Sequence, residues 1–137
     1  MKKEQKEILI GIDTGFFFAL QYGNEKAIEV WKSGHLAVSV LVICELQKHL
    51  LKRESKKWKE LIREIKRATL VVPLVEEIAE RAAHISHGTG IPAMDALILA
   101  SLLHVGCKTI YTTDRHFEMY SKKGIKIINL RRAGGKP

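Results

Sequence analysis

Four of the fifteen acidic residues stand where an ionised carboxylate is costly. Asp13 closes the apolar run Ile8-Leu-Ile-Gly-Ile12, and Glu45 is embedded in Val40-Leu-Val-Ile-Cys-Glu-Leu46. Asp95 lies within Ile91-Pro-Ala-Met-Asp-Ala-Leu-Ile-Leu99, and Asp114 follows Thr109-Ile-Tyr-Thr-Thr113. A carboxylate among apolar side chains must be paired or neutralised. Arg115 is the main basic residue near these four in sequence. A divalent cation would satisfy several carboxylates together, and Mg²⁺ and Mn²⁺ favour such hard oxygen donors. Ions held in this way can activate a bound water. Each acid also has a structural reading: Asp13 and Asp114 as helix caps, Asp95 in a favourable helix-dipole position, Glu45 turned outward. One shared site explains four coincidences better than four separate accidents. The other glutamates, Glu60, Glu64 and Glu118 among them, lie in charged or amphipathic surroundings and are expected on solvated faces.

Small hydroxyls accompany the acids. Thr14 and Thr112 are candidates to hydrogen-bond a carboxylate or a metal-bound water; for Thr113 ordinary strand or cap chemistry is the preferred reading. Arg115 is the best candidate to hold a phosphate. Lys48, Lys52, Arg53, Lys56 and Lys57 form a basic stretch after Glu45, as readily a solvated helix face as a phosphate-binding surface. The histidines make no HExxH or HxH pattern, and His84 with His87 lacks a third ligand. No GxGxxG, GxxxxGK[ST] or GxSxG motif occurs, which weighs against nucleotide-binding and serine-hydrolase readings. Phosphotransfer through Asp13 as nucleophile would want a second Asp two residues on, where Gly15 stands.

These side chains need a frame. The 137 residues are the length of one domain, and at 46% apolar they can fill one core. No run reaches the roughly 18 apolar residues that span a bilayer, and residues 1–7 lead into no signal-peptide pattern, so the cytoplasm is expected. Cys44 and Cys107 have no partner at CxxC spacing and read as buried free thiols. The formal charge of +8 favours a polyanionic partner, nucleic acid above all.

The hydrophobic pattern alternates strands with helices. Strands are expected at 8–12, 36–38, 69–72, 108–112 and 125–128. Helices are expected from Asp13-Thr14, over 24–33 with Asn24 as cap, from the Ser39 cap to about Arg53 with Val42, Leu46, Leu50 and His49 inward, over 55–67, over 75–87 ended by Gly88 and Gly90, and from Pro92 as first residue to about His104. Residues 115–121 read as a helical turn, and 1–7 and 131–137 as mobile ends. The alternation implies a mostly parallel sheet covered by helices on both faces, and such sheets gather ligands at their carboxyl ends, where Asp13 and Asp114 fall.

Ile10-Gly-Ile-Asp-Thr14, Ser39-Val-Leu-Val-Ile-Cys-Glu45, Pro92-Ala-Met-Asp-Ala-Leu-Ile-Leu-Ala100 and Thr112-Thr-Asp-Arg-His-Phe117 resemble, in this order, the motifs of a PIN domain. The resemblance spans about residues 8–130, and the single-domain form looks like the VapC-type toxins of toxin–antitoxin pairs. It implies a three-layer α/β/α fold and a Mg²⁺- or Mn²⁺-dependent endoribonuclease whose acidic quartet is Asp13, Glu45, Asp95 and Asp114, with Thr112 as the accompanying hydroxyl. Asp13 and Asp95 are expected as the most direct ligands, with Glu45 and Asp114 completing the set directly or through water. The family often has a further Asp or Asn two residues after the fourth acid; here that position is His116. The implied partners are RNA, an antitoxin whose tail covers the acidic pocket, and a second copy of the chain, through apolar residues around 42–65. A housekeeping RNA-processing nuclease, and a non-catalytic RNA- or protein-binding module on the same fold, are the rival readings.

Overall fold

The computed structural model describes residues 8–133. Five short strands form one sheet: β1 (Ile10–Ile12), β2 (Leu36–Ser39), β3 (Leu70–Val72), β4 (Thr109–Thr112) and β5 (Lys126–Asn129). Their order is β3-β2-β1-β4-β5, and every neighbouring pair is parallel. Parallel strands need long crossovers. Here these are α1 (Thr14–Gln21) and α2 (Glu25–Ser33), then α3 (Val40–Arg53) and α4 (Lys56–Ala68), then α5 (Glu76–Thr89) and α6 (Ala93–His104). A 3₁₀ turn, Arg115–Met119, joins β4 to β5, and a short α7 (Leu130–Ala133) follows.

The chain first steps outward from β1 to β2 and β3, then crosses back to β4 and on to β5. Right-handed crossovers therefore put α1–α4 on one face and α5, α6 and the 3₁₀ turn on the other, in keeping with the packing of α1 on α3 and of α6 on the 3₁₀ turn. This is the expected three-layer sandwich. Its core holds Ile12, Phe16, Phe17, Leu46, Ile98, Leu99, Leu102 and Ile110, all fully buried. Helix α6 is buried around almost its whole circumference, as its mostly apolar sequence requires. It lies close on β1: a Cβ at Gly11 would stand 2.9 Å from Leu102 Cδ1 and 3.0 Å from Ile110 Cγ1.

Local chemistry explains most boundaries. Asn24 accepts from Ala27 N at 3.0 Å, and Ser39 accepts from Leu41 N at 3.2 Å. Gly34 and Gly90, at φ 85° and 84°, provide left-handed stops. Several expectations are corrected. Gly88 stays inside α5, and Gly90 alone ends it. Pro92 is the cap of α6, not its first residue, with its carbonyl accepting from Ala96 N at 2.9 Å. Cys44 is exposed, because α3 turns that position away from the sheet, while Cys107 is buried, with its thiol pushed up to about 12 by burial. Of the segment 131–137, the described residues belong to α7, which the Asn129 side chain opens by accepting from Arg131 N at 3.0 Å. The expected mobile end at 1–7 lies outside the described residues, as do residues 134–137.

Candidate metal centre

The sheet order reverses between β1 and β4, and a crevice opens at the carboxyl ends of strands at such a switch point. Asp13 is the residue after β1, and Asp114 stands two residues after β4. Asp95 reaches the same place from the first turn of α6. Glu45 reaches it from the second turn of α3, whose Val42 and Leu46 are buried on either side of it in sequence. All four line one cleft of about 660 Å³, together with Thr14, Thr113, Arg115 and His116.

Asp13 is almost completely buried. Its Oδ1 accepts from Phe16 N at 3.0 Å, so it caps α1, and its Oδ2 accepts from the Thr112 hydroxyl at 2.5 Å. Thr112 Oγ1 in turn accepts from Asp114 N at 2.9 Å. Thr112 does not itself line the cleft; it ties the carboxylate after β1 to the backbone after β4. Asp114 Oδ1 accepts from His116 N at 2.9 Å, capping the 3₁₀ turn, and lies 2.9 Å from His116 Nδ1. His116 Nδ1 is also 3.7 Å from Asp95 Oδ2. The Thr14 hydroxyl donates to Glu45 Oε1. Asp13 and Asp114 therefore act as caps and at the same time line the common cleft, so the cap readings do not compete with a shared site.

The four charges act on one another. Burial holds the Asp13 carboxyl up at about 7, and the negative charges of Asp114 and Asp95 push the same way against the hydrogen bonds from Thr112 and Phe16. Burial again leads at Asp95, raised to about 6, with Asp114 and Glu45 adding repulsion and His116 opposing it. Such a cluster favours protons or a cation. Among the described residues, Asp95, Asp114 and His116 offer donor atoms all within 4.8 Å of one another, a spacing that one ion can bridge. Two carboxylates and an imidazole suit a divalent cation. Asp13 and Glu45 stand beside this trio, each already holding a hydroxyl.

The basic stretch Lys48, Lys52, Arg53, Lys56 and Lys57 is exposed and lines no part of the cleft. Arg115 does line it, as do Asn129, Arg131 and Arg132, which the sequence reading did not single out. Asn129 Nδ2 donates to Glu118 Oε2 at 3.2 Å, and Arg132 pairs with Glu118. Glu118 is thus half-buried in a small network rather than on a solvated face. The available signal was position: Asn129 ends a parallel strand, as the residue before Asp13 does, and the arginine doublet follows it. Gly15 brings α1 against the end of β4, since a Cβ there would stand 1.9 Å from Thr113 Oγ1. Thr113 accordingly serves packing as well as lining the cleft.

A family model described as PIN domain matches residues 10–123. The chain belongs to the PIN domain family. Among solved structures, the PIN fold of this chain is similar to that of a "Toxin-antitoxin complex from Klebsiella pneumoniae". The TM-score is 0.71 at 17% identity, covering 88% of this chain and 97% of that one. It is also similar to the "Crystal structure of VapBC2 from Rickettsia felis bound to a DNA fragment from their promoter", with a TM-score of 0.68 at 16% identity, covering 89% and 98%. At such identities the likeness concerns the fold. No curated protein matches the sequence. Among the described residues of this PIN domain no helix is long and apolar enough to cross a membrane.

Proposed function

We propose that this PIN domain is a divalent-metal-dependent endoribonuclease and the toxin of a toxin–antitoxin pair. The observation that carries the reading is the convergence of Asp13, Glu45, Asp95 and Asp114 on one cleft at the switch point of the sheet. Burial and mutual repulsion raise Asp13 and Asp95 together, so ionising both acids is costly and a bound cation would offset that cost. PIN domains are generally nucleases, and of the two similar structures one is described as a toxin–antitoxin complex and the other as VapBC2 bound to promoter DNA.

Asp95 and Asp114 would hold the ion in place of the expected pair Asp13 and Asp95, because Asp13 is already held by Thr112 and Phe16 N; Asp13 and Glu45 would complete the acidic wall. A bound Mg²⁺ or Mn²⁺ supplies an activated water and neutralises charge on the phosphate. Thr112 fixes the rotamer of Asp13 and the backbone of Asp114, so the acids are oriented before substrate arrives. Thr14 does the same for Glu45. Arg115 at the cleft holds a phosphate oxygen of the RNA, and Arg131 extends the positive rim. An antitoxin segment would act by covering this cleft. A second copy of the chain would pair through apolar residues of the α3–α4 region, where Leu51 is exposed.

The test is cleavage of a structured RNA, such as tRNA, with Mg²⁺ or Mn²⁺. Asp13→Asn and Asp95→Asn are each expected to abolish cleavage. Full activity in either variant would sink the mechanism. Co-expression with the product of a neighbouring small gene, followed by purification of a stable inactive complex, tests the toxin assignment.

A further inference from the structure

Resting on that metal-centre reading, we propose that His116 is itself a ligand of the ion, with Asp95 and Asp114, and that its nitrogen makes the centre prefer Mn²⁺ to Mg²⁺. The spacing of the three donors supports it. His116 Nδ1 lies 2.9 Å from Asp114 Oδ1 and 3.7 Å from Asp95 Oδ2. In an octahedral ion with bonds of about 2.1 Å, neighbouring donors stand about 3 Å apart and opposite ones about 4.2 Å. Both separations from the imidazole match that range, and all three donors lie within 4.8 Å of one another, a spacing that one ion can bridge.

The imidazole is delivered there by the backbone. Thr112 Oγ1 accepts from Asp114 N, and Asp114 Oδ1 accepts from His116 N, so Asp114 caps the 3₁₀ turn that begins at Arg115 and carries His116 as its second residue. The turn therefore presents Nδ1 to the carboxylates, while the side chain remains 46% exposed, leaving room for water to complete the sphere. An all-oxygen site suits Mg²⁺, which dehydrates reluctantly and has little affinity for nitrogen. An imidazole donor shifts preference towards first-row transition ions, which bind nitrogen better. Without an ion, the same geometry makes His116 a hydrogen-bond partner of Asp114, so the structural alternative is an imidazole that only pairs with the acids.

Pulsed EPR on the full chain loaded with Mn²⁺ separates the two. The expected result is ¹⁴N coupling to Mn²⁺ in the wild type, lost in His116→Asp and in His116→Gln. Calorimetric titration with each ion gives a second measure: His116→Asp should narrow the preference for Mn²⁺ over Mg²⁺ by about tenfold or more. Mn²⁺ bound without nitrogen coupling, or a preference unchanged in His116→Asp, would overturn this proposal and leave the acidic centre standing. A wild-type chain that binds no Mn²⁺ at all would overturn the metal centre and this proposal together. The wild-type spectrum decides the ligand even if a variant folds poorly.

Discussion

Asp13 shows how one side chain serves the fold and the site together. Its carboxylate caps α1 through Phe16 N and receives the Thr112 hydroxyl, yet it sits almost fully buried beside two other acids. The protonated form is the one that burial favours, and this sets a sign for stability. A carboxyl held at about 7 in the folded chain, against 3.8 as its ordinary value, contributes most below pH 4. That contribution is lost as the pH rises towards and through 7. Asp95, held at about 6, adds a smaller loss of the same sign at lower pH. Without metal, the melting temperature should fall by several degrees between pH 5 and pH 8, a scan that calorimetry can follow. Asp13→Asn should flatten that slope and raise the metal-free melting temperature at pH 8. Saturating Mn²⁺ should restore the wild type at pH 8, by about 2.7 kcal/mol at a hundred times its dissociation constant.

At the scale of elements, the site depends on how closely helices and strands meet. Helix α6 can carry Asp95 into the cleft because the rest of it is anchored on nearly every side. Its approach to the sheet depends on Gly11, and the approach of α1 to β4 depends on Gly15. Gly15→Ala places a methyl 1.9 Å from Thr113 Oγ1, so α1 or the end of β4 must shift. The expected cost is about 1–3 kcal/mol, with a larger loss of metal affinity than stability alone explains, because Asp13 and Asp114 flank the contact. Thr113→Ala in the same chain removes the clashing oxygen and should recover most of the loss. A double-mutant cycle in urea unfolding measures that coupling; additive effects would mean that the contact is not tight.

On the scale of the molecule, topology and charge work together. Reversal of strand order between β1 and β4 opens the crevice, and residues from α3, α6 and the segments after β1 and β4 converge on it. The chain carries a formal charge of +8, while its cleft is lined by acids with arginines among them. A polyanion is thus attracted to the molecule as a whole, and Arg115 and Arg131 sit where its backbone would pass the acids. RNA binding should weaken steeply with salt. Arg115→Ala should reduce the slope of log affinity against log salt by about 1, at similar cost for different sequences. Fluorescence anisotropy of labelled RNA, with the ion withheld to prevent cleavage, measures it; an unchanged slope would remove Arg115 from the phosphate path.

Much of this was legible in the sequence because burial and periodicity are local signals. Short apolar runs ending in Asp13 and before Asp114, the Asn24 and Ser39 caps, and alternating periods defined a parallel α/β fold. Four acids out of place in apolar surroundings marked the site, since their desolvation cost is written in their neighbours. Other features depend on atoms distant in the chain. That Thr112 would bind Asp13, 99 residues away, follows from the pairing of β4 with β1. That Asp95, Asp114 and His116 would bring donor atoms within 4.8 Å of one another, or that Arg131 would border the cleft from a short helix, could not be read from spacing. The exposure of Cys44 was equally hidden, because an apolar stretch on a helix does not say which side meets the sheet. The sequence alone determined which residue types must be brought together, through the cost of burying charge. Only the tertiary structure decided which of their atoms meet, because strand order and helix packing set distances that no local pattern encodes.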